Sequence, residues 1–164
     1  MANYYSWTKT NWFRVNDEFR FKHILFNLRV FGEGLYDDHK LIHSSHPDKD
    51  GYFYHKLMCY GDLCGPYNKE LGDYEDIEKV LYKPLQDLLP TEKDIFVLKY
   101  IGAEKLRYVD AGYTIVTKEN IVYNHIDRLI SNEVSELTGL NDIDIDFDYR
   151  DSSVETIEPK GDEW

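Results

Sequence analysis

Four aspartates at every second position, Asp142, Asp144, Asp146 and Asp148, form the most regular chemical pattern in the chain. In an extended segment their carboxylates face one way at intervals of about 6.8 Å, twice the strand rise of about 3.4 Å per residue. Two base steps of a duplex advance by about the same length, because each strand carries a phosphate every ~3.4 Å. The row therefore has the spacing to imitate a phosphate backbone for a protein whose groove normally holds DNA or RNA. Ile143, Ile145, Phe147 and Tyr149 face the other way, where they can dock the row, and Asp151, Glu155 and Glu158 extend the charge. The plainer reading is an edge strand whose charges prevent aggregation, followed by a solvated tail from Asp151 to Trp164.

A second constellation gathers His39, His43, His46 and His55 with Cys59 and Cys64, flanked by Asp37, Asp38, Asp48 and Asp50. Neutral imidazole and thiolate are good zinc ligands, and closeness in sequence lowers the entropic cost of assembling a site. The spacing fits poorly. His39 and His43 share a face only on a helix, whereas this stretch reads as strand and turn, and Cys-x4-Cys lacks a second such pair. The cluster supports an alternative, a structural zinc protein or a metal-dependent hydrolase, against exposed histidines on a polar loop. No His-Glu-x-x-His, phosphate-binding loop, dinucleotide fingerprint or Gly-x-Ser-x-Gly elbow is present. No catalytic residue, no enzyme activity and no cofactor are expected.

Negative charge accumulates toward the C-terminus. Residues 1–60 carry eight Lys/Arg against seven Asp/Glu, residues 61–140 nine against fifteen, and residues 141–164 two against nine, within a net charge of −12. Such a chain repels nucleic acid and attracts basic surfaces. The aromatic residues Tyr4, Tyr5, Trp7 and Trp12 are able to stack on bases, but single-strand binding also requires a positive groove. The partner expected is thus a basic protein, with no direct nucleic-acid contact. No apolar run reaches a membrane span and the start lacks a signal-peptide layout, so a cytoplasmic protein is expected, with Cys59 and Cys64 as thiols.

The elements that must position these residues alternate in type. Tyr5 to Val15 reads as a strand, and Asn16 caps a helix to about Val30 with Phe21, Ile24, Leu25 and Leu28 on one stripe, ended at Gly32 or Gly34. Leu35 to Tyr67 reads as a hairpin turning at Asp48-Lys49-Asp50-Gly51. Asp73 caps a second helix, kinked or broken at Pro84 and ended by Pro90. Strands follow at Ile95–Tyr100, Lys105–Val109, Tyr113–Thr117 and Ile121–Tyr123, with one turn placed at Asp110-Ala111-Gly112. Ile126 to Leu137 forms a last helix closed by Gly139. The order predicts an α+β fold, a mainly antiparallel sheet with about three helices on one face, as a single domain over residues 1–140 followed by an acidic strand and tail over 141–164.

Asn11-Trp12-Phe13-Arg14-Val15-Asn16-Asp17-Glu18, Leu81-Tyr82-Lys83-Pro84-Leu85 and above all Gly102-Ala103-Glu104-Lys105-Leu106-Arg107-Tyr108-Val109 with Gly112-Tyr113 resemble a group of small uncharacterised proteins of bacterial genomes, plasmids and phages. The resemblance implies a setting in mobile elements and assigns no catalytic residues. Joined to the charge pattern, it leads to an expected function: a non-enzymatic inhibitor of a host nucleic-acid-binding defence complex, of the anti-CRISPR or antirestriction type, that presents carboxylates to a basic groove. A homo-oligomeric accessory protein is a further alternative, suggested by the many Tyr and Phe on strands.

Overall fold

A computed structural model describes residues 4–31, 41–104 and 108–140. The aspartate row and the rest of segment 141–164, His39, and Lys105 with Arg107 lie outside the described residues. In chain order the elements are β1 (Tyr4–Thr10), β2 (Phe13–Val15), α1 (Glu18–Asn27), β3 (Arg29–Phe31), β4 (Ile42–Pro47), β5 (Phe53–Tyr60), β6 (Asp62–Cys64), β7 (Tyr67–Asn68), β8 (Asp73–Tyr74), a π-helical turn (Glu78–Tyr82) running into α2 (Lys83–Leu88), β9 (Phe96–Glu104), β10 (Tyr108–Val116), β11 (Ile121–His125) and α3 (Ile126–Thr138). This is an α+β fold on a mainly antiparallel sheet. The sheet runs β11-β10-β9-β1-β5, with β2 and β4 also paired to β5.

β1 and β2 form one long strand interrupted by a bulge. Lys9 stands opposite Met58 and Phe13 opposite His55, so one extra residue lies on the β1–β2 side. Asn11 makes the bulge tolerable, because its side chain replaces the missing ladder. Its Nδ2 donates to the Ile95 carbonyl at 3.0 Å and its Oδ1 accepts the Val97 N–H at 2.8 Å. Bulges of this kind increase twist and re-aim side chains, and here Trp12 is turned to the outer face of the sheet beside Lys56.

The inner face holds the core. Phe13, Val15, Leu57, Phe96, Leu98 and Val116 from the strands pack with Phe21 from α1 and Leu81, Leu85 and Leu88 from the segment at 78–88. Fully burying aliphatic and aromatic side chains of this size contributes about 1.5–3 kcal/mol each. α3 adds no buried residue.

Several boundaries differ from the sequence reading for local reasons. The helix-capping side chain is Asp17, whose Oδ1 accepts the Arg20 N–H at 2.9 Å. α1 stops at Asn27, because Leu28 is buried in extended conformation and Arg29–Phe31 pair with β6. Asp73 belongs to β8. Pro84 lies in the first turn of α2, and the helical register changes just before it, from the π-turn to the α-helix. The turn expected at Asp110-Ala111-Gly112 is the middle of β10, which pairs without interruption to β9. Gly112 is required there by space: a Cβ would lie 2.6 Å from Tyr100 Oη and 2.5 Å from the Asn124 carbonyl oxygen.

Candidate functional site

Toward the β10–β11 end, the inner face changes from apolar to polar. Ser6, Thr8 and Thr114 are buried there, on the strand positions that elsewhere carry Phe and Leu. Thr8 Oγ1 donates to the Gly61 carbonyl at 2.8 Å. That hydrogen bond ties the floor to the segment that brings Asp62 over it. Gly61 has φ +129°, and a Cβ would meet the Phe31 carbonyl oxygen at 2.6 Å, so a glycine is needed where the chain leaves β5.

Asp62 and Asp110 line one cavity of about 290 Å³, together with Thr8, Tyr82, Tyr100, Thr114 and Tyr123. Burial pushes the Asp62 carboxyl above the ordinary range, opposed in part by the nearby Ser6 hydroxyl and reinforced by the charge of Asp110. Tyr100 is raised by burial and by the carboxylates of Asp110, Asp62 and Asp127. Asp110 is held by His125, whose Nε2 lies against its Oδ1. His125 Nδ1 accepts the Asp127 N–H at 3.3 Å as the cap of α3, which leaves Nε2–H to donate to Asp110. The capping bond and the carboxylate therefore fix one tautomer between them.

A second cavity of about 400 Å³ shares Asp62 and Ile77 with the first, and adds Asp73, Glu75 and Asp76 among Tyr67, Tyr74, Phe31 and Cys64. Five carboxylates and five tyrosines thus line these two adjoining cavities, whose linings include no Lys, Arg or His, while a third cavity that shares Tyr100, Thr114 and Tyr123 with the first is lined by His125 and Arg128. Lys79 approaches Glu75 only at 3.9 Å and is 75 % exposed, so it offsets little of this charge. Glu78, at the rim, accepts the Tyr123 hydroxyl and pairs with Lys83 at 2.9 Å. Its carboxyl is held below the ordinary range by Tyr123 first and Lys83 second.

An anionic groove walled by tyrosine rings, in which Asp62, Asp73 and Asp76 form no ion pair among the described residues, suits a guanidinium or ammonium group. The carboxylates supply charge-assisted hydrogen bonds and the ring faces add cation–π attraction. Sequence reasoning missed Asp62 and Asp110, which lie 48 positions apart and meet only through the turn at Gly61. The available signal was Ser6, Thr8 and Thr10 at alternate positions of a strand, polar residues on what becomes its inner face.

The histidine–cysteine constellation is arranged differently from a ligand set. His43 Nε2 lies 2.9 Å from His55 Nδ1, and His55 Nε2 lies 2.6 Å from Glu18 Oε1, so these rings bond to each other and to a carboxylate. His55 is buried between Phe13 and Phe21. His46 packs on Trp12 and Tyr54. Cys59 is buried with its thiol pushed up to about 12 by burial, and Cys64 is separate from it. Among the described residues, no group of three or more His, Cys, Asp or Glu is placed to hold a metal ion.

No protein family, curated protein or solved structure matches the chain. Among the described residues, no helix is long and apolar enough to cross a membrane. The groove is therefore interpreted from its own chemistry.

Proposed function

We propose that the protein is a non-enzymatic binding protein for a basic partner, and that the inner groove receives Lys or Arg side chains of that partner. The observation that carries this reading is the set of five carboxylates and five tyrosines without a lining cation. An anionic groove of this kind costs the free chain like-charge repulsion, which a cationic ligand relieves. The net charge of −12 steers a basic surface toward it, and the aspartates at 142, 144, 146 and 148 provide a second contact along the same partner. The resemblance to proteins of phages and plasmids supports a specific partner class: a cytoplasmic host defence complex that normally grips nucleic acid, such as a restriction enzyme or CRISPR effector. Binding then blocks the partner's phosphate-holding groove.

The test is binding of the full chain to a purified basic defence nuclease across a salt series. Affinity is expected to fall steeply with salt. Asp62→Asn with Asp110→Asn is expected to weaken binding about tenfold or more, the effect of losing charge-assisted hydrogen bonds worth ~1.5–3 kcal/mol. Replacing Asp142, Asp144, Asp146 and Asp148 by Asn tests the second contact separately. If neither set of replacements changes the affinity, the proposal is wrong.

A further inference from the structure

The larger of the two adjoining cavities differs from its neighbour in its walls. Three rings, Phe31, Tyr67 and Tyr74, stand around it with the carboxylates of Asp73, Glu75 and Asp76. Tyr67 and Tyr74 are cross-strand partners in the β7–β8 ribbon, so their side chains leave it on one side. The Tyr67 and Tyr74 rings meet edge to face at 5.5 Å, and Phe31, at the end of β3, lies 5.6 Å from Tyr74 with an interplanar angle of 57°. The three rings are thus set at angles around the cavity instead of being stacked flat on one another. Phe31 is 57 % exposed and Tyr67 55 %. Contiguous open rings facing a cavity mark a binding site, whereas single exposed apolar residues need no explanation.

The ribbon that carries two of these rings is braced at both ends. At its tip, Asn68 Oδ1 accepts the N–H groups of Glu70 and Leu71 at 2.9 and 3.3 Å, and Gly72, at φ +68°, donates to the Asn68 carbonyl at 2.9 Å. At its base, Gly65 donates to the Glu75 carbonyl at 2.8 Å and Glu75 to the Pro66 carbonyl at 2.9 Å. A Cβ on Gly65 would lie 2.7 Å from Val80, so the ribbon is seated closely on the π-helical turn. Rings held in this way need little ordering when a ligand arrives.

The carboxylates narrow the choice of ligand. Asp73 Oδ1 already accepts the Tyr74 N–H at 2.7 Å, Asp76 Oδ1 accepts the Glu78 N–H at 2.8 Å, and Glu75 Oε1 accepts from Asn68 Nδ2 at 3.4 Å. Their negative charge remains, while part of their hydrogen-bonding capacity is taken. A cation with no N–H to donate loses nothing in such a place, and its methyl groups fit against ring faces. We infer that Phe31, Tyr67 and Tyr74 form a cage for a quaternary ammonium group, the trimethyllysine side chain of the basic partner. The inference rests on the proposed reading of the groove as a cation site, and gives its wider half a different cation from the hydrogen-bonding one expected beside Asp62 and Asp110.

The test is an NMR titration of the full chain with a short peptide whose only charged side chain is one lysine, made in three forms: trimethylated, unmodified, and with a neutral tert-butyl group in place of the trimethylammonium. The trimethylated form is expected to bind about tenfold tighter than either of the others, with shifts at Tyr67, Gly72 and Tyr74. Tyr67→Ala is expected to remove that preference and Tyr67→Phe to keep it, with circular dichroism unchanged in both. Equal binding of the three peptides, equal binding of the neutral form, or shifts that leave Tyr67 and Tyr74 unmoved overturns the inference. Free choline tests the other source of the same group: binding as tight as that of the trimethylated peptide overturns the assignment to a partner side chain. If the trimethylated peptide shows no preference while hexa-arginine still shifts Asp62 and Asp110, the cage is wrong and the wider reading of the groove stands. If neither ligand binds, both fall.

Discussion

The two faces of the sheet invert the usual arrangement over half of their extent. Near β2 and β5 the inner face is a conventional core of Phe13, Leu57 and Phe96 covered by α1 and the segment at 78–88. Near β10 and β11 the inner face is Ser6, Thr8, Asp110 and Thr114 beneath a groove, while the outer face there carries Ile101 and Val122 in the open. A sheet built only for stability places these groups the other way round. The inner polar floor and the outer apolar surface are therefore the two places where stability has been given up, and the proposed cation site occupies the first.

The contrast is sharpest in core replacements. Phe96→Ala, at a fully buried position, is expected to cost about 3–5 kcal/mol of unfolding free energy, whereas Ile101→Ala, five positions along the same strand on the other face, is expected to cost less than ~1 kcal/mol. Urea denaturation of the two variants measures both. Comparable losses would mean that the outer face is covered in solution.

Glu18→Ala is expected to cost about 1–3 kcal/mol, because it leaves the buried Nε2 of His55 without its acceptor. Glu136→Ala, on the exposed side of α3, serves as the control and is expected to stay within ~0.5 kcal/mol. Gly112→Ala belongs to the same range as Glu18→Ala, about 1–3 kcal/mol, since the new methyl group meets the Tyr100 hydroxyl and a backbone carbonyl.

The smallest effect is of opposite sign. The Asp62 carboxyl is raised by burial and by Asp110, so the folded chain holds this proton more tightly than the unfolded chain does. Above its folded pKa the ionised group lowers stability, and that loss disappears as pH falls toward the ordinary carboxylate value. Asp62→Asn is thus expected to raise the melting temperature by about 1–3 °C at pH 7, with the difference shrinking toward pH 4. A fall in melting temperature at pH 7 contradicts the assignment of Asp62 as a strained carboxylate kept for binding.

Much of the chain's architecture was legible from periodicity and turn chemistry. The hairpin at Asp48–Gly51, the strand run of residues 52–60 and α3 with Gly139 as its left-handed end all follow from local patterns. The errors arose where tertiary contacts override a local signal. Asp110-Ala111-Gly112 has turn composition, yet Gly112 is there to admit the Tyr100 ring, and Asp110 to meet His125. Pro84, by contrast, does stand where the helical register changes, at the step from the π-turn to α2. The groove was illegible because charge counts along a sequence do not say which carboxylates converge. Asp62 and Asp110 sit on β6 and β10 and Asp76 in the loop after β8, and only the turn at Gly61 brings the first over the others. The same averaging hid the outer face: Lys9, Lys56 and Lys99 are few beside 31 acidic residues, but among the described residues no Asp or Glu occupies an outward strand position beside them.

The central claim is that the inner groove takes a cationic side chain. A nitrogen-15 NMR titration of the full chain with a hexa-arginine peptide tests it most directly. The account predicts saturable shifts at Asp62, Asp110, Tyr100 and Tyr123 that disappear in the variant carrying Asp62→Asn and Asp110→Asn. Shifts confined to the C-terminal aspartates or to the outer face, with the groove resonances unmoved, would contradict it.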